Sequence, residues 1–472
     1  MRVLALASLA ILIAAASPAH ARVLHAPASP GAAARALAAA QPGDTVSLAR
    51  GVHPGPLAVG RAVTLRGEPG AVVDGGGRLT VLDVTSGGAT IEDLALRGSG
   101  ARVLTVDCGI HVRQAAGVVL RRVRLSDVLY GVYAERADGL VIEDCSFTGR
   151  ARPGDENGAG NGIHLWYSHG ATVSRDTCAR FLDGIYLSFA NRTRVEHSVL
   201  EDAGRYGLHT MYCQDGRVAD SRFRRNVAGC AIMFSNHLRL ERNEFAHNRG
   251  PRTYGVLLRD CSAGEFTANR MVDNTIAMFM DNSNRNHIRD NLVQDNGWGV
   301  LLFSSCAKNT FAGNAFINND YPVALDMRRS DNRFDDGERG NFWSESAPYD
   351  LDGDGVSDVP YSPVSAFAFV SKQYPDLAIL ARSPAVAALA VAERVIPALR
   401  PSEAVDRLPM VSPPALGGLG AAPEAAAPSR PVWIVALGFA ALAGLGVAGL
   451  SRGALDPLAG GLLGRLARRR AA

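Results

Sequence analysis

The stretch that decides the fold runs from His237 to Phe303: HLRLERNEFAHNRGPRTYGVLLRDCSAGEFTANRMVDNTIAMFMDNSNRNHIRDNLVQDNGWGVLLF. A short apolar pattern begins at Gly255, Ala277 and Gly299, and asparagine-rich segments such as EFTANRMVDN lie between its copies. The period of 22 residues is too short for two helices and a turn, but it suits a coil of three short strands. One coil cannot bury its apolar face alone, so stacked coils must share an interior.

The same apolar pattern recurs along most of the chain, at spacings of 22 or 23 residues with two longer steps. Its copies begin at Gly109, Gly131, Gly162, Gly184, Gly207, Gly229, Gly255, Ala277, Gly299 and Pro322. Each strand alternates apolar and polar residues, and stacked coils would pair their strands in parallel. We therefore predict an all-β fold, a right-handed parallel β-helix with ~22-residue coils, over residues 22–370.

Asparagines fall into two columns of this repeat, which we interpret as bends of the coil. One column contains Asn226, Asn248, Asn274, Asn296 and Asn318, and the other contains Asn243, Asn269, Asn291 and Asn314. Asparagine tolerates left-handed backbone angles and can hydrogen-bond its neighbours, so it suits tight bends.

Helical segments are predicted at both ends of the β-helix. A short helix, roughly Ala32 to Ala40, precedes the first strand and would cap strand edges that are otherwise unpaired. Near the other end, apolar residues follow helical spacing from Ala385 to Leu399. Residues 371–410 are therefore predicted to form a helical tail that either caps the β-helix or docks on a partner.

Both ends of the chain carry targeting features. Arg2 is followed by an apolar run and by the small-x-small pattern Ala19-His20-Ala21, which predicts a secretory signal peptide over residues 1–21. An uncharged run, PVWIVALGFAALAGLGVAGL, begins at Pro431, and about 20 such residues span a bilayer. Basic residues follow this run, and positive charge marks the cytoplasmic side of a membrane protein.

These features predict a periplasmic protein that is anchored in the inner membrane. Residues 411–430 would form a Pro/Ala/Gly-rich linker, residues 431–451 a transmembrane helix, and residues 452–472 a basic cytoplasmic tail. The alternative for residues 431–451 is a buried core helix. The linker before this segment and the basic residues after it favour the membrane.

Composition and motifs exclude several function classes. The net charge is only +3 and the basic residues are dispersed, which argues against nucleic-acid binding. The sequence contains no Ser/His/Asp triad motif, Walker loop or Rossmann glycine pattern, so any ATP must be used by a partner. We expect the seven cysteines to be mostly free and buried, because Cys213 and Cys261 share a column at about 10 Å, beyond disulfide reach.

Two groups of segments resemble a known family. One group is LRLERNEFAHNRGPRTYGVLLRDCSAGEF with NLVQDNGWGVLLF; the other is NRFDDGERGNFWSESAPYDLDGDGVSDVPYSPVSAF with VAERVIPALRPSEAVDRLPMV. Together they resemble the NosD family, the periplasmic accessory proteins of nitrous-oxide reductase maturation, over residues 42–411. The resemblance implies a β-helix that works with an ABC-type ATPase, its membrane permease and a copper-chaperone lipoprotein to build the copper-sulfide centre of nitrous-oxide reductase. The segment after Pro431 lies outside the resemblance.

Soft-metal ligands gather in two adjacent coils. Because alternate side chains of a strand share a face, His209 and Met211 are predicted to point outward together, with Met233 beside Met211. Imidazole and thioether suit copper, and methionine favours Cu(I). These residues, with Cys213 on the bend, form a candidate transient copper site. The alternative is a surface stripe of aromatic and methionine side chains, or a face on which a partner docks.

An acidic loop follows the repeat and is the second candidate metal site. Its sequence DLDGDGVSD supplies carboxylates from Asp350, Asp352, Asp354 and Asp358 and the backbone oxygen of Val356. This spacing matches an EF-hand-like calcium loop, although Tyr361 stands where the bidentate glutamate is usual. We predict a structural calcium ion, with a plain acidic turn as the alternative.

The sequence thus predicts a non-enzymatic docking scaffold for copper-site assembly. The alternative is a carbohydrate-binding or polysaccharide-cleaving β-helix, with Asp281 and Asp326 as candidate carboxylates roughly 10 Å apart.

Overall fold

The computed structural model describes residues 21–151, 159–303, 305–326, 331–373, 377, 380, 383–396 and 404–415. Within these ranges the chain winds into a parallel β-solenoid of about 13 coils, each of about 23 residues. Three sheets form its walls, two with 13 strands and one with 12. The predicted β-helix class and repeat length are therefore confirmed.

The strands of each wall follow one another at one-coil intervals. Sheet I consists of Val23–Ala26, Thr45–Leu48, Thr64–Gly67, Thr90–Glu92, Val119–Arg121, Val141–Glu143, Thr172–Ser174, Arg194–Glu196, Arg217–Ala219, Arg239–Glu241, Glu265–Thr267, His287–Arg289 and Thr310–Ala312. Sheet II consists of Gly51–Pro54, Ala71–Asp74, Ala95–Arg97, Arg124–Ser126, Ser146–Thr148, Thr177–Ala179, Val199–Glu201, Arg222–Arg224, Glu244–Ala246, Arg270–Val272, Leu292–Gln294, Ala315–Ile317 and Phe342–Trp343. Sheet III consists of Leu57–Val59, Leu82–Val84, Cys108–Arg113, Tyr130–Glu135, Ile163–Trp166, Asp183–Ser188, Tyr206–Met211, Ala228–Met233, Tyr254–Arg259, Ile276–Asp281, Trp298–Leu302 and Tyr321–Leu325.

The coils share one apolar interior because the inward side of each strand is apolar. In sheet I, for example, Val173, Val195 and Val218 pair in register and are all buried. The repeated glycines permit close stacking in sheet III, since a Cβ on Gly207 would lie 2.6 Å from the carbonyl oxygen of Gly229. A side chain there would push neighbouring coils apart.

Asparagines form buried side-chain ladders at the bends, so the predicted hydrogen bonding to neighbours is confirmed, whereas the left-handed backbone angle predicted for these residues is wrong. The side-chain oxygens of Asn269, Asn291 and Asn314 each accept the backbone N–H of the ladder asparagine one coil earlier, at 2.9 to 3.0 Å. The left-handed backbone angle belongs instead to the residue before each of these asparagines; Arg242 before Asn243, for example, has a φ of 52°. The asparagines therefore satisfy buried backbone groups rather than tolerate strained angles.

The asparagine column that begins at Asn226 ends on a different residue from the one predicted. The N–H of Asn296 donates to Asn319 at 3.1 Å, whereas Asn318 is exposed and has a left-handed φ of 52°. The step from Asn296 to Asn319 spans 23 residues, whereas the preceding step, from Asn274 to Asn296, spans 22. The extra residue moves the inward position from Asn318 to Asn319.

A helix and an unexpected strand close the N-terminal end. Helix α1, Ala32–Ala39, agrees with the predicted capping helix and buries Leu37 in the core. The strand Val23–Ala26 precedes it and pairs with Thr45–Leu48, so the prediction that the helix comes before the first strand was wrong. Helix α1 lies between these two strands in the sequence, so their pairing has no counterpart in the 22-residue repeat.

The C-terminal end carries two helices and a returning segment. Helix α2 spans Ala366–Gln373 and so begins five residues before the segment 371–410 that was predicted to be helical, whereas helix α3, Pro384–Val395, lies within that segment. A side-chain oxygen of Glu393 accepts the N–H of Ala366 at 3.0 Å and so joins the two helices. Residues 404–415 then lie against the last strand of the solenoid, and Asp406 in this segment is buried.

Asp406 fastens this returning segment to the final coil. Its carboxylate accepts the backbone N–H of Asn341 at 2.7 Å and the indole N–H of Trp343 at 2.8 Å. Met410 also pairs with Phe342 through a parallel bridge. The last coil is therefore covered by a segment that lies more than 60 residues later in the chain.

Several predicted segments lie outside the described residues. These are residues 1–20 of the signal peptide, residues 416–430 of the linker, the membrane helix 431–451 and the tail 452–472. In the described ranges, no helix is sufficiently long and apolar to cross a bilayer. The membrane anchor and the remaining segment boundaries stay predictions.

Candidate functional site

The outer wall of sheet III carries a continuous column of histidine and tyrosine rings. His111, Tyr133, His164, Tyr186 and His209 occupy equivalent positions in five consecutive coils, as the repeat predicted. Successive ring centroids lie 5.4, 4.4, 4.6 and 4.7 Å apart. We call these five residues the imidazole column.

A second outward column lies two residues further along the same strands. Trp166, Ser188, Met211 and Met233 follow one another in register. His209 and Met211 lie on one strand with the inward Thr210 between them, and Met233 is the direct partner of Met211. Adjacent strands are about 4.8 Å apart, so the structure brings His209, Met211 and Met233 to one region of the wall.

His209 is held by a buried carboxylate that sequence reasoning missed. Its Nδ1 lies 3.1 Å from Oδ2 of Asp183, and Asp183 also accepts two hydrogen bonds from Arg205 at 3.0 and 2.7 Å. Burial acts to raise the pKa of the Asp183 carboxyl, but the hydrogen bonds from His209 and Arg205 outweigh it and hold that pKa below its usual value. Asp183 is therefore a carboxylate, which can only accept hydrogen bonds.

The other ring nitrogen of His209 has no hydrogen-bond partner among the described residues. This Nε2 atom is buried, and the imidazole is covered by the rings of Tyr186 and Tyr206, whose centroids lie 4.7 and 5.0 Å away. His209 as a whole is only 7% exposed. A buried, unpaired nitrogen is costly unless something binds it, so Nε2 suits a metal ion that reaches it past these two rings.

Cys213 does not lie on this wall. It is 2% exposed and belongs to the solenoid interior, where its thiol contacts the carbonyl oxygens of Leu187 and Met211 at 3.6 and 3.5 Å. Burial raises the pKa of the Cys213 thiol to about 11, which disfavours the thiolate that binds metals. All seven cysteines are free and buried, as the sequence predicted.

The neighbouring histidines of the column are neutral. Burial lowers the pKa of His164 to about 4, and burial also lowers the pKa of His111. The amide nitrogen of Asn161 lies 3.2 Å from Nδ1 of His164. Since an amide nitrogen only donates, Nδ1 of His164 accepts this hydrogen bond. His164 and His209 therefore have different hydrogen-bond environments although they share one column.

A ridge of stacked aromatic rings borders the methionines, and it too was missed from the sequence. Tyr167, Phe189, Tyr212 and Phe234 stack at 4.7, 4.9 and 5.0 Å with nearly parallel planes, and we call them the aromatic ridge. All four have left-handed backbone angles, which aromatic residues adopt at a cost of roughly 1–2 kcal/mol. Tyr212 is 44% exposed, so the ridge presents apolar surface beside Met211 and Met233.

The acidic loop brings three of its predicted ligands together. Oxygen atoms of Asp350, Asp352 and Asp354 lie within 4.8 Å of one another. The same carboxylates accept backbone N–H groups within the loop, including that of Val356, which donates to Asp354 at 2.8 Å. Asp358 instead accepts the N–H of Leu351 at 2.8 Å and is not part of the three-aspartate cluster.

One carboxylate of the carbohydrate alternative has an arginine partner. Asp281 lies 3.3 Å from the guanidinium of Arg259 in the neighbouring coil. Asp281 therefore takes part in an ion pair that joins two neighbouring coils.

Comparison with known proteins gives consistent results. A family model described as "Periplasmic copper-binding protein (NosD)" matches residues 148–347. A Pseudomonas aeruginosa protein named "Probable ABC transporter binding protein NosD" is 32% identical over 384 residues, covering 78% of this chain and 88% of the relative. A Stutzerimonas stutzeri protein of the same name is 26% identical over 383 residues, covering 78% and 86%. The solved catalytic domain of GH87 alpha-1,3-glucanase in complex with nigerose has a TM-score of 0.50 at 11% identity, covering 70% of each chain.

Fold and site together define a class of protein: a parallel β-solenoid that presents imidazole and thioether groups on one outer wall. Within that class, the chain belongs to the NosD family, because it is 32% identical to a NosD protein over most of both chains. The likeness to the glucanase shows the fold alone. The relatives are named as binding proteins, whereas solved structures with this fold include an enzyme.

Proposed function

We propose that this protein is a periplasmic, non-enzymatic accessory protein of the nitrous-oxide reductase system, which binds an ABC transporter and holds Cu(I) transiently on the wall of sheet III. The names of the family and of the relatives support the copper and transporter parts of the proposal. The observation that carries it is the alignment of His209, Met211 and Met233 on one outer wall.

The donor chemistry of this wall fits Cu(I). Two thioethers and one imidazole form a soft donor set, which favours Cu(I) over harder cations. His209 supplies a buried nitrogen that has no hydrogen-bond partner in the described part of the chain, while Met211 and Met233 are only half-buried. The methionines can therefore exchange the ion with a partner that docks on the wall.

The aromatic ridge is proposed as the docking face for the copper-chaperone lipoprotein. Aromatic side chains are enriched at the centres of protein interfaces, and this ridge lies directly beside the two methionines. A chaperone on the ridge would place its copper next to the proposed site, and the ion would then pass to nitrous-oxide reductase.

The C-terminal part of the chain is proposed to join the protein to its transporter. The helical tail 371–410 would contact the membrane permease, and the segment 431–451 would keep the solenoid at the inner membrane. ATP would be used by the ABC-type ATPase.

A Cu(I) titration of the full-length chain tests the copper site. The metal-free protein is titrated anaerobically against a colorimetric Cu(I) chelator and compared with a His209→Ala/Met211→Leu/Met233→Leu variant. Leucine removes the thioether and keeps the volume of methionine, so packing changes little. We expect the variant to lose one bound Cu(I) equivalent.

The matched control is His111→Ala, which removes an imidazole from the same column without touching the methionines. It should bind Cu(I) as the unmodified chain does. Equal stoichiometry and affinity in the triple variant would contradict the copper site and leave the docking role to be tested by association with the transporter.

We also propose a structural calcium ion in the acidic loop, held by Asp350, Asp352 and Asp354 with the backbone oxygen of Val356. The convergence of three carboxylates supports it. Asp358, which accepts the N–H of Leu351, is left out of the ligand set. The ion would stiffen the loop beside the C-terminal end of the solenoid.

A further inference from the structure

We infer that Asp183 is a positioning residue for the proposed copper site, because it fixes His209 in the tautomer whose Nε2 carries a free lone pair. The consequence for copper binding rests on the proposed function. The tautomer of His209 does not, since it can be measured in the metal-free protein.

Contacts other than the one with His209 hold the carboxylate of Asp183 in place. Asp183 is fully buried and pairs with Tyr206 of the next coil. Arg205 donates two hydrogen bonds to it, and the backbone N–H of Tyr206 donates a third at 3.3 Å. This bidentate arrangement leaves the carboxylate little freedom to turn away from His209.

The contact with His209 sets the position of a proton. An ionised carboxylate only accepts hydrogen bonds, so Nδ1 of His209, 3.1 Å from Asp183, must be the donor. In the neutral imidazole the other nitrogen, Nε2, then carries the lone pair that a metal needs. Histidines that bind metals commonly donate their second N–H to a carboxylate, and loss of that partner weakens metal affinity by about 10- to 100-fold.

His164 provides a contrast within the same column. Its Nδ1 faces the amide nitrogen of Asn161 at 3.2 Å and accepts a hydrogen bond, which places its own proton on Nε2. Two histidines two coils apart thus expose opposite tautomers. Asp183 distinguishes His209 from His164 as the imidazole prepared to bind an ion.

Asp183→Asn is the decisive substitution. The asparagine oxygen would still accept from Arg205, and its amide would then donate to Nδ1 of His209. That exchange moves the imidazole proton to Nε2. The matched control is Asp202→Asn, because Asp202 is held by Arg225 in the same manner, at 2.7 and 3.0 Å.

Two measurements are made on the full-length chain in detergent. Nitrogen-15 NMR of histidine-labelled, metal-free protein gives the tautomer of His209, whose signals are identified by their absence in His209→Gln. Cu(I) affinity is measured by chelator competition. We expect an Nδ1–H tautomer in the unmodified chain, an Nε2–H tautomer in Asp183→Asn, and an affinity for Cu(I) about 10- to 100-fold weaker in that variant. Asp202→Asn should change neither quantity.

Failure of this inference is distinct from failure of the copper site. An Nε2–H tautomer in the unmodified chain overturns the positioning role, even if Asp183→Asn does not fold. Unchanged affinity in a folded Asp183→Asn also overturns it, provided that the triple variant has lost Cu(I). If instead the triple variant still binds Cu(I), the proposed copper site is wrong, and the positioning role for copper falls with it.

Discussion

Two halves of the solenoid, divided near Gly229, place different residues at equivalent positions. On the outer wall of sheet III, the first half carries the imidazole column, whereas the second half carries buried apolar side chains. The apolar residues that continue the column are Ala231, Leu257, Phe279, Leu301 and Ala324.

The interior bends show a parallel difference. One ladder position is occupied by Asp176, Ser198 and Ser221 in the first half and by asparagines from Asn243 onward. Asparagine can accept from one coil and donate to another, which serine and aspartate do less completely. The bends of the second half therefore carry the more complete hydrogen-bond ladder, whereas the imidazole column of the first half contains His209 of the proposed copper site.

The sharpest test of this contrast compares ladder residues from the two halves. Asn291 is fully buried, accepts the N–H of Asn269 and donates to the carbonyl oxygen of Phe266. Asn291→Ala leaves these groups unsatisfied and should lower the free energy of unfolding by about 3–5 kcal/mol. Ser221→Ala removes fewer bonds and should cost roughly 1–2 kcal/mol. Urea midpoints followed by circular dichroism measure both, and equal losses would remove the distinction between the halves.

Substitution of Asp176, by contrast, is expected to stabilise the protein. Burial raises the pKa of Asp176 to about 7, and its Oδ2 has no partner among the described residues. Its contribution is therefore greatest below the unfolded pKa near 4 and is lost as pH rises through about 7. Asp176→Asn removes this loss and should stabilise the protein by roughly 2–4 kcal/mol at pH 8.

The control for Asp176 is pH itself. The difference in melting temperature between Asp176→Asn and the unmodified chain should shrink steadily as pH falls from 8 toward 4. A difference that does not change over this range would show that Asp176 has an ordinary pKa.

The acidic loop tests how the C-terminal end is stiffened. Calcium at about 100 times its dissociation constant should stabilise the folded protein by about 2.7 kcal/mol. Asp352→Asn should weaken the rise in melting temperature that calcium produces, while the exposed-residue control Asp215→Asn should keep it. An equal rise in both variants would place the calcium effect outside this loop.

The aromatic ridge beside the methionines should matter for partners rather than for folding. Tyr212→Arg introduces a charge into the ridge, and the left-handed position accepts arginine, as Arg136 shows in the same column with a φ of 48°. We expect association with the copper chaperone to weaken about tenfold, which corresponds to about 1.4 kcal/mol. Biolayer interferometry measures it, with Arg225→Gln on a charged bend as the control. A loss of melting temperature without a loss of association would assign the ridge to stability.

The period of the sequence was sufficient to predict the fold and the wall positions. A fixed repeat places His209 beside Tyr186 and Met211 beside Met233, because register follows from spacing alone. The same reasoning failed at Asn318, where one extra residue shifts the inward position to Asn319.

Contacts that cross between columns could not be predicted in this way. Asp183 reaches His209 diagonally between coils, and the repeat says nothing about diagonal reach. One sign of this contact was present in the sequence: Asp183 is an acidic residue at the position that Tyr206 occupies in the next coil. Cys213 was misplaced for a related reason: it follows a bend with a left-handed residue at Tyr212, where the alternation of faces restarts.

Closure by Asp406 has a consequence for how the protein is made. The last asparagine of the ladder, Asn341, finds its acceptor 65 residues later in the chain. During export, the strand edge of the final coil therefore remains unpaired until residue 406 has crossed the membrane. Products shortened before that point would lack the acceptor for Asn341 and Trp343, and they should pair edge to edge and precipitate.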